Sequence, residues 1–334
     1  MLIRGNALKD LFRLIRWPNL LIVAFAMILM RYAVIGSIIS RIKVHLYSVA
    51  GSAETMTLQL PWYDFAVLVA ATVLITAAGY VINDYFDIKT DLINRGKVIV
   101  GTTIPRRKAM MWHNILNVIG VSAGFYVSWK IGFFWAGMMF LLVTGLFYFY
   151  SATYKRQFFV GNLMVAILTG MLPLLVLFYE WIPLRDYYMI NAVRMPDFSA
   201  IVWWIGGFSL FAFLTTLTRE IIKDIADFEG DSAYGRNTLP VVIGVSASRF
   251  VVAGLAFITI LLLYLIWYLF INDLITLAYV SFAIAIPLCA VIYLVLPGKG
   301  KTHLRMASTL MKIIMISGLF YSVVAKIINS CNLN

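Results

Sequence analysis

Cysteine, histidine and charged residues are all scarce in this chain. Its two cysteines, Cys289 and Cys331, lie in or beside apolar segments and have no CxxC or Cys/His spacing, which excludes a disulfide scaffold and a zinc centre. The three histidines, His45, His113 and His303, are scattered and form no ligand motif. Charged residues make up 13% of the chain and acidic residues number only 15, against 62% hydrophobic residues, a balance that excludes an ordinary water-soluble domain. No repeat period and no low-complexity tract is present, which excludes a solenoid.

What the chain has in abundance is long apolar runs. Nine of them, each long enough to cross a hydrocarbon core, run approximately over 18–40, 62–85, 109–129, 133–151, 161–182, 201–222, 241–271, 274–296 and 306–328. The first is not read as a cleaved signal peptide, because no clear small-residue cleavage site follows it and eight further runs do. The expected fold is therefore all-α: a polytopic membrane protein of nine transmembrane helices, with residues 1–334 forming a single membrane domain.

The formal net charge of +12 does not point to nucleic acid. With the N-terminus inside, eighteen Lys and Arg residues fall on the inner side, six on the outer side and three within spans. That asymmetry follows the positive-inside rule and matches inner loops facing anionic lipid. It predicts a cytoplasmic N-terminus, an outer C-terminus and residence in the cell membrane as a multi-pass protein. Two long outer connections, 41–61 and 183–200, carry no motif.

Against this apolar background the run NDYFDIKTD at 83–91 stands out, since charge near a bilayer is costly and usually functional. If 66–91 is helical, Asp84, Asp87 and Asp91 are spaced i, i+3, i+7 and share one face. Three carboxylates that close repel one another unless cations lie between them. Oxygen-only ligands suit Mg²⁺, which characteristically links carboxylates to substrate phosphates. A solvated helix end is the plain alternative. A second run, REIIKDIADFEGD at 219–231, repeats the spacing with Asp224, Asp227 and Asp231. The two windows hold eight of the 15 acidic residues, and both sit at inner ends of spans, so solvation alone is a poor account. Two such stripes facing one another can hold two or three Mg²⁺ ions around one diphosphate.

These features resemble the UbiA superfamily of intramembrane prenyltransferases over nearly the whole chain. Its signature NDxxDxxxD is met by Asn83, Asp84, Asp87 and Asp91, and DxxDxxxD by Asp224, Asp227 and Asp231. The runs GRNTLPVVIG at 235–244, YSATYKR at 150–156 and SxxxK at 308–312 are also similar. The resemblance implies nine helices around a central cavity, capped on the cytoplasmic side by the two motif loops. It implies transfer of a prenyl group from an allylic diphosphate to a lipophilic acceptor, in contact with membrane lipid and with no protein partner.

On that basis the six aspartates hold Mg²⁺, and Asn83 serves as a neutral ligand or a phosphate donor. Lys155, Arg219 and Lys223 neutralise the leaving group, with Lys97 as a further substrate contact; Arg219 and Lys223, at i and i+4, share a helix face. Tyr150, in the matching YSATYKR run, is the candidate for facing a developing allylic cation, from a neighbourhood that also includes Tyr80, Tyr85, Phe86, Tyr148 and Tyr154. The chain departs from the family after the first motif, where 94–101 reads NRGKVIVG instead of an Arg-Pro-containing segment. Lys97 supplies a point charge there and not a bidentate fork.

The second motif with GRNTLP looks most like members that act on geranylgeranylglyceryl phosphate or on chlorophyll precursors, and less like those that act on haem; of these, a geranylgeranyl donor and the geranylgeranylglyceryl phosphate acceptor are the first choice. A basic group of Lys97, Arg106, Arg107 and Lys108 suits an acceptor phosphate, although ordinary inner-loop charge is the better account of Arg106, Arg107 and Lys108. An aromatic acceptor is the alternative within the class. An ion-coupled transporter is the alternative outside it, though a transporter places its charges near the midplane beside broken helices. A non-catalytic lipid-binding protein that retained the motifs is a third.

Overall fold

The computed structural model describes residues 7–47, 53–95, 98–297 and 300–331. Among these, one two-stranded sheet accompanies a chain that is otherwise helices and connections. Eight helices are long and apolar enough to cross a membrane: Trp17–Ile39, Trp62–Phe86, Phe134–Ala152, Val160–Asn191, Ser199–Ala226, Val245–Ile271, Leu274–Val295 and Gly300–Ile328. They match eight of the nine expected crossings. The remaining run, 109–129, lies in the helix Arg106–Lys130, whose 25 residues reach about 37 Å at 1.5 Å each. That helix is long enough, but Arg106, Arg107, Lys108, His113, Asn114 and Asn117 dilute its apolar character.

Three boundaries differ from expectation. The helix expected over 66–91 is interrupted at Asp87. Pro183, expected to open an outer loop, lies inside Val160–Asn191 together with Pro173. Proline is tolerated at such positions in membrane helices, where neighbours satisfy the freed carbonyls. The run expected over 241–271 is divided at Gly244, whose φ of 88° lies where side-chain-bearing residues are strained, so a short helix Leu239–Ile243 precedes the crossing.

Two compact units make up the chain, 1–27 with 59–157 and 28–58 with 158–334. In the first unit, Trp62–Phe86 packs along Arg106–Lys130 and Met138–Ala152. Lipid is as apolar as leucine, so close packing and polar contacts hold membrane helices together. Gly120 permits the approach, because a Cβ there would come within 2.7 Å of Ile75 and 3.2 Å of the Ala71 carbonyl oxygen. Gly124 does the same under Phe140, at 2.3 Å. A polar ladder joins the same helices. His113 Nδ1 donates to the Ala78 carbonyl at 3.0 Å, and Asn117 Nδ2 contacts His113 Nε2 at 3.1 Å. His113 is thus a satisfied packing residue.

In the second unit, Ser199–Ala226 meets Val160–Asn191, Val245–Ile266 and Gly300–Cys331. Its core includes Ile221, Ile222, Val252, Ala256, Leu288, Val291, Ala307 and Met311. A fully buried ion pair also belongs to this unit. Arg31 Nε donates to Glu180 Oε2 at 2.8 Å, with the two side chains 2% and 0% exposed. Arg31 occupies a π-helical stretch, Met30–Ile35, a form that widens the turn by one residue. At the far end of the unit the strands Lys43–His45 and Ala53–Thr55 pair antiparallel. They are tied to the end of Val160–Asn191 and the residues just after it, through Tyr47 N–H to the Asn191 carbonyl (3.0 Å) and Val193 N–H to the His45 carbonyl (2.9 Å).

Candidate active site

Both aspartate motifs are built on the same backbone device. The helix Trp62–Phe86 carries Asn83 and Asp84 and stops at Asp87, whose φ of −89° and ψ of 1° place it in the sparsely populated bridge region. Ile88–Arg95 starts at the next residue and carries Asp91. Asp87 N–H still donates to the Asn83 carbonyl at 3.0 Å, and Asp91 N–H to the Asp87 carbonyl at 2.9 Å. The i to i−4 ladder therefore passes through the break, and the acidic spacing survives although the regular helix does not.

In the other unit, Ser199–Ala226 carries Arg219, Glu220, Lys223 and Asp224 and stops at Asp227, with φ −98° and ψ 8°. The helix Phe228–Ala233 follows with Asp231. Asp227 N–H donates to the Lys223 carbonyl (2.9 Å) and Asp231 N–H to the Asp227 carbonyl (3.1 Å). The repeat seen as letters is a repeat in conformation.

The side chains around the first motif are strongly paired. Lys155, on the short 3₁₀ turn Tyr154–Arg156, donates from Nζ to Asn83 Oδ1 at 3.0 Å and to Asp87 Oδ2. Asp87 itself is only 3% exposed. Arg16 Nη2 donates to Asp84 Oδ1 at 2.7 Å, and its guanidinium lies 5.0 Å over the Tyr80 ring. Arg16 has a left-handed backbone, φ 52°, where the helix Ala7–Leu14 has ended and Trp17–Leu29 begins. A non-glycine residue held there is strained, and such strain clusters at functional sites. Burial opposes the Arg16 charge, but the Asp84 carboxylate, by attraction and hydrogen bond, outweighs that cost and lifts its pKa above the usual arginine value.

Around the second motif, both predicted cations turn to Glu220. Arg219 Nη1 donates to Glu220 Oε1 at 3.3 Å, and Lys223 Nζ to Glu220 Oε2 at 2.6 Å. Arg219 Nε is buried with no hydrogen-bond partner among the described residues. Asp224 Oδ2 accepts from Asn162 Nδ2 at 2.7 Å, and Asp231 Oδ1 accepts from Arg236 Nη1 at 3.4 Å.

The predicted residues therefore fall into two groups. Asn83, Asp84, Asp87, Asp91 and Lys155 lie in the first unit, and Arg219, Lys223, Asp224, Asp227 and Asp231 in the second. Tyr150 is half-buried near the end of Met138–Ala152. Nearby aromatics include Phe86 and Tyr148, edge to face at 5.9 Å. Arg106 Cζ lies 4.7 Å from the Tyr85 ring centroid. Lys97 lies outside the described residues. Sequence reasoning missed four residues. Arg16 and Arg236 read there as inner-side charge, Asn162 carries no charge, and Glu220 was counted only as part of an acidic window.

Among the described residues no three Asp, Glu, His or Cys side chains converge tightly enough to hold a metal. The donors nonetheless suit a hard divalent ion. They are oxygen only, and Asp84 and Asp87 already carry a guanidinium and an ammonium as stand-in cations. The buried, unpartnered Arg219 Nε likewise suits an anion arriving at the second motif.

A profile of the UbiA prenyltransferase family matches residues 46–316. The digeranylgeranylglyceryl phosphate synthase of Methanosphaera stadtmanae is 30% identical over 257 residues, 76% of this chain and 85% of that one. Among solved structures, a digeranylgeranylglyceryl phosphate synthase studied in membranes superposes with a TM-score of 0.62 at 20% identity, over 95% of this chain and 98% of that one. A UbiA homolog from Archaeoglobus fulgidus bound to DMAPP and Mg²⁺ gives 0.53 at 17% identity, over 94% and 99%. At these identities the two structures share the fold.

Proposed function

The chain belongs to the UbiA prenyltransferase family and is a membrane-embedded enzyme that transfers a prenyl group from an allylic diphosphate; we propose that the group is geranylgeranyl and the acceptor is the hydroxyl of geranylgeranylglyceryl phosphate. The observation that carries this reading is the 30% identity to a digeranylgeranylglyceryl phosphate synthase across 85% of that enzyme, together with both aspartate motifs intact. The active site faces the cytoplasm, residues 1–334 act as one catalytic domain, and Arg106–Lys130 is the ninth crossing.

In the proposed reaction the allylic C–O bond breaks, the diphosphate leaves with the electron pair, and the acceptor oxygen bonds to the freed carbon while its proton passes to the released diphosphate or to water. The catalyst must stabilise negative charge on the leaving group and positive charge on the chain. Asp84, Asp87, Asp91, Asp224, Asp227 and Asp231 hold Mg²⁺, with Asn83 as a neutral oxygen donor. Mg²⁺ supplies Lewis-acid stabilisation of the departing diphosphate. Lys155 reaches Asn83 and Asp87 and so is stationed where a phosphate oxygen bound to that motif gathers charge. Arg219 and Lys223 play the same part at the second motif, where Glu220 fixes their direction. Asn162 occupies one oxygen of Asp224 by a neutral hydrogen bond. Tyr150 offers an aromatic face to the prenyl cation, and Lys97 is a further contact to substrate.

Purified protein given Mg²⁺, radiolabelled geranylgeranyl diphosphate and geranylgeranylglyceryl phosphate is expected to release diphosphate and form a doubly prenylated lipid. Asp84→Ala and Asp224→Ala are each expected to abolish release. Turnover unchanged in both variants would sink the mechanism, and product formed only with an aromatic acceptor would replace the lipid assignment.

A further inference from the structure

Resting on the reading of the first motif as a Mg²⁺–diphosphate site, we infer that Arg16 and Lys155 make metal binding there conditional on the diphosphate. The motif has the carboxylates a divalent ion needs, but two of them already have monovalent cations in contact. Arg16 Nη2 lies 2.7 Å from Asp84 Oδ1, and Lys155 Nζ contacts both Asp87 Oδ2 and Asn83 Oδ1. Neither cation is loosely held. Arg16 is fixed in the left-handed turn between two helices and lies over Tyr80, and Tyr80 in turn accepts from Asn19. Lys155 comes from a tight 3₁₀ turn. The Arg16 and Lys155 side chains are 27% and 25% exposed, and the Asp84 and Asp87 side chains 15% and 4%, so solvent screens these charges incompletely.

A divalent ion added alone to Asp84 and Asp87 meets two like charges at contact distance and must compete with them for the same oxygens. A diphosphate brought with the ion reverses the sign of that interaction. Its oxygens are acceptors for the guanidinium fork and for the ammonium, so the charges that oppose the metal alone favour the pair. The effect of Arg16 is thus a coupling free energy between two ligands. Such coupling is reciprocal: the factor by which diphosphate tightens metal binding equals the factor by which the metal tightens diphosphate. One consequence is that the motif is not filled by free Mg²⁺ ahead of the prenyl donor.

The test is calorimetric titration of the purified full chain in detergent with Mg²⁺ alone, with inorganic diphosphate alone, and with each in the presence of the other. The wild type is expected to bind Mg²⁺ at least about tenfold more tightly when diphosphate is present, within the usual range of such couplings. Arg16→Gln and Lys155→Gln are each expected to tighten Mg²⁺ binding in the absence of diphosphate by about threefold to tenfold and to shrink the coupling by a similar factor; Arg16→Lys should fall between. Thermal unfolding of each variant in detergent is measured alongside, so that a gain in metal affinity is scored only in variants that unfold as the wild type does. Mg²⁺ binding alone that is unchanged or weaker in Arg16→Gln would overturn the inference. Asp84→Asn separates this from the underlying site. If that variant loses metal binding while Arg16→Gln leaves the coupling intact, only the inference fails; if Asp84→Asn binds Mg²⁺ and diphosphate as the wild type does, the site reading fails with it.

Discussion

At the scale of single residues, the motif aspartates were legible because acidic residues are rare here and their spacing repeats. Their partners were not. Arg16 precedes an apolar run, where topology alone accounts for a basic residue; its left-handed backbone and its contact with Asp84, 68 positions away, are not written locally. Asn162 is a neutral amide near the start of a span, and nothing in its neighbours marks it as the donor to Asp224. Lys155 was legible through its run, and the structure places it on Asn83 and Asp87. Lys155→Met is therefore expected to lower kcat by about 10²-fold or more, as removal of one preorganised donor does, with a smaller effect on KM. Steady-state kinetics with geranylgeranyl diphosphate as the varied substrate checks this, and a change confined to KM would assign Lys155 to ground-state binding only.

Among the elements, the apolar runs predicted their own helices well because length and hydropathy determine what can span lipid. Breaks inside helices were harder to see. The interruption at Asp87 and its counterpart at Asp227 come without proline or glycine at the break, so composition gave no warning. The π-helical stretch at Met30–Ile35 is likewise silent in the sequence, although Arg31 within it was visible as a charge inside a span. Its partner Glu180 shows why that charge is tolerated. Removing one member of a buried pair leaves the other uncompensated, a loss of about 3–5 kcal/mol. Glu180→Ala should destabilise the protein by that order in thermal unfolding in detergent, and adding Arg31→Met should restore much of the loss. A double variant as unstable as the sum of the two singles would show that the residues act independently.

For the molecule as a whole, the class of protein was readable from composition, and the family from two motifs spread over a helical membrane chain. Orientation rests on the charge asymmetry of the loops, eighteen basic residues against six. A tag at the C-terminus is expected to react with membrane-impermeant label in intact cells, while a tag at the N-terminus is protected; the reverse pattern would overturn the expected orientation. What composition did not reveal was the division into two compact units, since each gathers segments far apart in the chain.

The small hairpin at the far end of the second unit carries a consequence in time. Thr57 N–H donates to the Tyr188 hydroxyl at 2.9 Å, and these residues are 131 positions apart. At a synthesis rate of about 5–20 residues per second, Tyr188 follows Thr57 by roughly 7–26 s. Throughout that interval the contacts that tie His45, Tyr47 and Thr57 to the end of Val160–Asn191 and the residues just after it cannot form. The segment that closes this end of the unit is among the first made and must wait for its partner, so the nascent chain passes a stage at which this end is open and exposed to chaperones and proteases.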